Sequence, residues 1–433
     1  MDAQRILNVD DARRRARRAL PAVVFDYIDG AADDEVTVAA NAAALRRLAF
    51  RPRMATGRTD VSLARTVLGT EVALPVLLAP CGLVRLMHPD GAVGVARAAA
   101  SRGTVSVLST VAGARPEAVA AASSGPAWFQ LYAPGGRDQA GPLLDRVRAA
   151  GYGALVVTVD TPELGNRERD LRNGVRNPLK VDARVAARLG PQILARPGWA
   201  ARMAAHAWRE RTAAGGTRRG APSERGGAPA PGGATAANGA GGGAGEGAGG
   251  ADGGAGGTGE RTGGGVGAAG ALSSAGTVAM LASPFTWSDV TWLRDRWGGP
   301  LVVKGVLSGP DAARAADAGA DAVVVSNHGG RQLDGAPATI DVLPEVVGAV
   351  GARVQVLVDG GIRRGSDVVK ALALGARTVL VGRAYLYGLA AAGEAGVGRV
   401  LDVLGAEMVR TMRLLGCSDV DDLDPSWLQA PGG

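Results

Sequence analysis

Eight short apolar runs recur along this chain, and all but the fourth are followed by a stretch that can be helical. The runs lie at 74–79, 104–108, 127–131, 154–159, 301–303, 322–325, 354–358 and 378–381. Helical segments are expected at 90–101, 115–122, 137–150, 309–318, 339–349, 364–374 and 383–391. The runs do not alternate polar with apolar, so each strand must be buried on both faces, as a parallel sheet requires. Eight strand–helix units over this length predict an α/β fold of one kind, a (β/α)8 TIM barrel rather than an open sheet.

The units divide the chain. Residues 1–72 precede them and read as a helical extension packed on the barrel. In it, residues 5–20 are basic and helical, with Asp10 as N-cap and Pro21 as the stop. The barrel itself is assigned to 73–161 and 283–425. Between these, 162–282 is a long insertion after the fourth strand. Its first part carries arginines among apolar residues and tryptophans. Its second part, 213–276, is a Gly/Ala/Thr tract with too little apolar surface to offset its chain entropy, and is expected to be disordered.

The net charge of +7 raises the question of nucleic acid, but aromatics are 4% and no zinc-finger or RNP pattern is present, so no nucleic-acid partner is expected. An enzyme handling anions fits better. No apolar run is long enough to span a bilayer, the N-terminus lacks a secretory core, and Cys81 and Cys417 make no metal spacing. A cytoplasmic protein without a metal is expected.

In such a barrel, chemistry gathers where strands end. The ends read Pro80-Cys81-Gly82, Ser109-Thr110, Gln130-Leu131-Tyr132, Thr158-Val159-Asp160, Lys304, Ser326, Asp359-Gly360-Gly361-Ile362-Arg363 and Gly382-Arg383. The last two suit a phosphate: Gly360, Gly361 and Gly382 let backbone N–H groups approach it, and Arg363 and Arg383 add charge. Beyond the sixth strand, His328 is a candidate base three residues before Arg331. Arg331 with Arg167 would clamp a carboxylate, and Asp160 would fix the imidazole tautomer. Lys304, on a buried strand, needs an anion; it either stabilises a bound cofactor or forms a Schiff base.

Several segments together resemble one family. They are Val157-Thr158-Val159-Asp160-Thr161-Pro162, Leu164 to Asp170, Val303-Lys304-Gly305-Val306, Ser326 to Asp334 and Asp359 to Gly365. Over about 5–175 and 280–425 the chain resembles the FMN-dependent L-2-hydroxy acid oxidases and dehydrogenases, among them glycolate oxidase, lactate oxidase, flavin-type lactate dehydrogenase and mandelate dehydrogenase. The resemblance implies FMN as cofactor, a small 2-hydroxy acid as substrate, and a homo-oligomer. It makes His328 the base, paired with Asp160, and Lys304 the partner of the flavin pyrimidine edge. Tyr27, Tyr132, Arg167 and Arg331 would hold the substrate. The flavin and ribityl groups would touch Pro80, Cys81, Gly82, Ser109, Gln130, Thr158 and Ser326. Asp359, Gly360, Gly361, Arg363, Gly382 and Arg383 would take ribityl and phosphate.

Departures from the family are also present. Val111 stands where short-chain oxidases often carry an aromatic residue, which implies a wider pocket. The basic insert is either a solvated flap over the site or a surface resting on anionic lipid through Arg184, Arg188, Arg196, Arg202, Arg209, Arg211, Trp199 and Trp208. Rival readings are an isomerase or lyase using Lys304, a flavoprotein scaffold, and an oxidative deaminase of a peptide-derived substrate. Arg331 argues against the last.

Overall fold

In the computed structural model the eight runs are eight parallel strands of one closed barrel. The structure describes residues 2–132, 136–174, 183–216 and 285–429. The barrel strands are β1 (Val76–Leu78), β2 (Ser106–Ser109), β3 (Ala127–Leu131), β4 (Ala154–Thr158), β5 (Leu301–Val306), β6 (Ala322–Val325), β7 (Gln355–Val358) and β8 (Thr378–Val381). Each pairs with the next, and β8 closes on β1 through Val379 opposite Val76.

Three helices precede the barrel: α1 (Val9–Ala19), α2 (Ala22–Asp29) and α3 (Val36–Arg47). The N-cap of α1 is Asn8, not Asp10, because Asn8 Oδ1 accepts the Asp11 N–H at 2.8 Å. Pro21 does end α1, and it also serves as N-cap to α2. Five helices then line the chain up to the fourth strand and its excursion: α4 (Gly91–Ala100), α5 (Pro116–Ala121), α6 (Arg137–Ala149), α7 (Glu168–Arg172) and α8 (Ala183–Leu194). The rest are α9 (Pro197–Gly216), α10 (Trp287–Trp297), α11 (Gly309–Asp317), α12 (Thr339–Val350), α13 (Gly365–Ala373) and α14 (Arg383–Leu415), the last interrupted at Ala392 and Gly393. Helix α10, which returns the chain from the insertion, is an element the apolar pattern does not isolate. Of the Gly/Ala tract, the first residues continue α9 to Gly216; residues 217–276 lie outside the described residues.

Strand parity explains the interior. Val107, Trp128, Val156, Val302, Val324, Leu357 and Leu380 fill the lumen as one apolar cluster, separate from the core between strands and helices. At one end Val67 and Val72, from a hairpin of Arg65–Val67 and Thr70–Val72, join that cluster and plug the barrel. Two residues beyond each of those lumen side chains, the same face carries Ser109, Gln130, Thr158, Lys304, Ser326, Asp359 and Gly382. The top layer of the lumen is therefore polar where the layer below is dry, and the mouth is made by the period of two alone.

Candidate active site

The polar layer is joined by hydrogen bonds. Ser109 Oγ donates to Gln130 Oε1 at 2.7 Å, and Gln130 Nε2 donates to Thr158 Oγ1 at 3.0 Å. Lys304 Nζ donates to Ser326 Oγ at 2.7 Å and pairs with Asp359 Oδ2 at 2.9 Å. Ser326 Oγ in turn accepts the His328 N–H at 3.1 Å. Burial works against the Lys304 charge, but Asp359 and Asp160 outweigh it and hold the ammonium above its usual range. A permanent cation, not a free amine, sits on the barrel axis, which does not suit a Schiff base.

His328 lies beyond β6 with a left-handed φ of 56°, an uncommon conformation for a residue with a Cβ. Its Nδ1 is 3.0 Å from Asp160 Oδ1, from the end of β4. Burial disfavours the Asp160 charge, yet His328 and Lys304 outweigh burial and keep its carboxyl below the usual range. An ionised Asp160 places the ring proton on Nδ1 and leaves the lone pair on Nε2. Burial, seconded by the Lys304 and Arg167 charges, pushes the imidazole pKa down although Asp160 opposes it. The result is a neutral base.

Asp160 reaches this position because β5 is bulged at Gly305. Gly305 has φ of 112°, and a Cβ there would stand 2.7 Å from Asp160 Cβ. Any side chain at 305 would displace the Asp–His pair.

Arg167 and Arg331 lie close enough for each charge to be felt by the other. Burial, then the neighbouring Arg331 charge, draws the Arg167 guanidinium down to about 10. Its Nε is buried with no hydrogen-bond partner among the described residues, and its Nη2 makes only a long hydrogen bond there, to Gln332 Oε1 at 3.4 Å. Arg331 is aimed by α2: Nη1 donates to the carbonyls of Tyr27 at 2.7 Å and Gly30 at 2.9 Å, and the fork lies over the Tyr27 ring at 5.2 Å. Tyr27 Oη reaches the Gly82 carbonyl at 3.4 Å, beside Val111. Desolvation raises the pKa values of the Tyr27 and Tyr132 phenols, so both are neutral and able to donate.

At β7 and β8 the material is backbone. Gly360 and Gly361 have φ of 95° and 82°, and Gly382 opens α14, so orphan N–H groups face outward from the strand end. The Arg363 guanidinium sits 5.8 Å over Tyr387. Arg383 donates to the carbonyls of Ile28, Gly30 and Gly329 at 3.1, 2.8 and 2.7 Å, so this side chain ties α2 and the His328 loop to β8. Pro80 and Cys81 complete the rim at β1, where burial raises the Cys81 thiol.

One functional residue is absent from the sequence-based roster. Gln332 Nε2 donates to the carbonyls of Asp160 at 3.0 Å and Glu163 at 2.7 Å, while its Oε1 takes Gly165 N and Arg167 Nη2. It therefore ties the loop holding Arg167 to the loop holding Arg331. Its place next to Arg331 is the available signal. Asp334, the last acid of the same motif, plays a separate part. It caps α3 by accepting Val36 N and Thr37 N at 3.1 and 2.7 Å.

A barrel with glycines at two strand ends, a buried lysine in the lumen, a histidine beside an ionised Asp160 and two half-buried arginines suits an enzyme of anionic substrates built around a phosphorylated cofactor. Likeness to known proteins narrows this. A family model described as FMN-dependent dehydrogenase matches residues 16–430, and the chain belongs to that family. The chain is 40% identical to pre-mycofactocin synthase of Mycobacterium tuberculosis, over 98% of this chain and 94% of that protein. It is 41% identical to an L-lactate dehydrogenase of Caulobacter vibrioides, over 98% and 97%. Among solved structures, the monotopic membrane protein (S)-mandelate dehydrogenase superposes with a TM-score of 0.79 at 35% identity, covering 98% of this chain and all of that one. The protein is an FMN-dependent oxidoreductase acting on a CH–OH group.

The mouth fits FMN on its own evidence. Six buried side-chain atoms lack a hydrogen-bond partner among the described residues, and three of them, Asp160 Oδ2, Arg167 Nε and Asp359 Oδ1, belong to mouth residues. Buried polar atoms are normally satisfied, so three orphans around one opening mark a place for a polar ligand. Lys304 would face the electron-rich edge of the ring system, and the glycines of β7 and β8 with the α14 N-terminus would hold the phosphate.

Proposed function

We propose that this protein oxidises an L-2-hydroxy acid to the 2-keto acid. The observation that carries the reading is the neutral His328, held by Asp160 at 3.0 Å, beside a half-buried Arg167 whose Nε is buried with no partner among the described residues. A buried cation next to a second cation is costly until an anion arrives, and a carboxylate matches two planar forks.

The substrate carboxylate sits between Arg167 and Arg331, with Tyr27 and Tyr132 donating to the acid and its hydroxyl. Nε2 of His328 takes a proton from the substrate. Asp160 keeps the ring in the orientation that presents Nε2 and then offsets the imidazolium charge. FMN, when bound, supplies the two-electron acceptor. Lys304 holds a positive charge where negative charge accumulates. The substrate side chain runs toward Val111, which leaves room for groups larger than methyl. Arg167 and Arg331 favour this reading over the substrate of pre-mycofactocin synthase, to which the chain is also similar.

The test is anaerobic mixing of the yellow protein with a panel of L-2-hydroxy acids from lactate to mandelate. Bleaching by at least one is expected; none would end the reading. Steady-state rates with oxygen, a quinone analogue and a carrier protein identify the electron acceptor.

We further propose peripheral contact with a membrane through α9. The support is the monotopic neighbour and the exposure of Trp208, 67% accessible, near Arg209 and Arg211. Trp199 and Arg196 are not part of that surface. The Trp199 indole donates to the Leu86 carbonyl at 2.9 Å and Arg196 to the Leu20 carbonyl at 3.0 Å, so the first docks the start of α9 on the barrel and the second docks it on the end of α1. The side chains of Arg184 and Arg188 lie outside the described residues. Among the described residues no helix is long and apolar enough to cross a bilayer. A homo-oligomer is proposed from the resemblance, and light scattering checks it.

A further inference from the structure

Helix α9 turns an unusual face to the barrel. Trp199, Arg202, His206 and Arg209 follow the three-, four- and seven-residue spacing that puts side chains on one side of a helix. A helix face that docks on a protein is ordinarily apolar. Here Trp199 does dock, but the next two turns carry cations, and between them and the loop before α4 lies a cavity of about 390 Å³. His88, Arg202, His206 and Arg209 line it, so two of the chain's three histidines meet there with two arginines.

These groups are poorly paired. Arg202 Nε and His206 Nε2 are two of the six buried side-chain atoms without a hydrogen bond among the described residues. The nearest carboxylate to His206, Glu210 Oε1, is 3.3 Å away and is already bound by Arg85 at 2.7 Å. Arg209 Nε reaches a carbonyl of its own helix, Ala205, at 3.3 Å. Among the described residues the one carboxylate lining the cavity is Asp90, and its Oδ2 is already engaged. It pairs with His88 Nδ1 at 3.2 Å and accepts the Glu394 N–H at 2.9 Å. The interruption of α14 makes this possible, since a Cβ at Gly393 would meet Asp90 Oδ2 at 2.4 Å. Pro89, Ala201 and Ala205 give the cavity an apolar wall.

We propose that this cavity is a binding site for an organic phosphate, separate from the barrel mouth. Arg202, Arg209 and His206 would hold the phosphate, and the wall of Pro89, Ala201 and Ala205 its organic body. Two forks and an imidazole match a tetrahedral oxyanion. A volume of about 390 Å³ exceeds what a bare phosphate fills and suits a small organic ligand. The same chemistry is offered by a soluble phosphate monoester and by a phospholipid headgroup.

The experiment uses the FMN-saturated enzyme and two probes. One is glycerol 3-phosphate in calorimetric titration. The other is co-sedimentation with phosphatidylcholine vesicles, with and without phosphatidylglycerol. At least one probe binds saturably, and Arg202→Ala with Arg209→Ala weakens it by about tenfold or more for each guanidinium lost. Arg202→Lys with Arg209→Lys recovers part of the affinity, which separates a binding role from a folding one. Binding of glycerol 3-phosphate identifies a soluble ligand; binding confined to anionic vesicles identifies a headgroup. The proposal falls if neither probe binds the wild type. It falls equally if the double Ala variant binds as wild type does, or if Arg18→Ala with Arg46→Ala, which removes the same charge away from α9, loses as much.

Discussion

The two halves of the barrel mouth solve different problems with different materials. On the β4 to β6 side, Asp160, Arg167 and His328 are side chains with shifted pKa values and Arg331 is aimed by two carbonyls, and their distances decide what they can do. On the β7 and β8 side the working parts are glycines at positive φ and the start of a helix. A proton must be taken at one atom, so the first half depends on side-chain aim. On the proposed reading a phosphate would be held here by many weak donors spread over a backbone, so the second half would depend on the absence of side chains. The contrast predicts that damage to the first half abolishes turnover with the flavin still bound, and damage to the second releases the flavin from an otherwise competent site.

The largest effect is expected from His328→Gln. Loss of a positioned base should lower kcat by about 10²–10⁴-fold while the protein remains yellow. A colourless variant would break the division between the halves. Next, Arg331→Lys keeps a charge but loses the planar fork. We expect kcat/KM to fall about ten- to a hundredfold, since charge-assisted hydrogen bonds contribute roughly 1.5–3 kcal/mol each, again with flavin retained.

Gly360→Ala attacks the other half. The residue has φ of 95° and its Cβ would lie 2.7 Å from Thr339 Oγ1. Strain of about 1–3 kcal/mol should appear as a lower melting temperature and as flavin lost on dialysis, with KM for the hydroxy acid unchanged once FMN is restored. An unchanged flavin affinity would show that the backbone there is not the phosphate seat.

The smallest effect is in pH. Burial lowers the His328 pKa below its ordinary value of 6.5, so the folded enzyme keeps its base neutral where an exposed imidazole would already be charged. The acid limb of kcat/KM should therefore lie below 6.5. The same shift makes the unfolded chain the better proton acceptor. The cost of this to folding is absent above 6.5, where the ring is neutral in both states, and grows as pH falls toward the folded pKa. Asp160→Asn removes the charge that favours the imidazolium, so it should move the limb lower still. Movement upward would contradict the pairing.

Much of this architecture is legible in the chain itself. Apolar runs as pure as Ala154–Thr158 or Ala322–Val325 can only be strands buried on both faces, and eight of them close a barrel. Strand ends then name the mouth. The first helix cap is ambiguous because Asn8 and Asp10 are both good caps, and only the backbone at Asn8 shows which one accepts an N–H. Helix α10 is hidden because Trp287–Trp297 follows soon after the low-complexity tract and mixes its apolar residues with Asp289, Arg294, Asp295 and Arg296.

What the sequence determined by itself is periodic: the inward parity of each strand, hence which side chains share the polar layer, and hence the short roster of His328, Asp160, Lys304, Arg167 and Arg331. Periodicity is local, so it survives without a partner. What tertiary structure decided is pairing between loops far apart in the chain. It assigned Gln332 to bridge Asp160, Glu163 and Arg167, turned Arg383 onto carbonyls of α2, and drew Trp199 inward while leaving Arg202 Nε and His206 Nε2 without a hydrogen bond among the described residues. Such choices depend on which acceptors remain unsatisfied once the barrel has closed, and no spacing within a single segment encodes that.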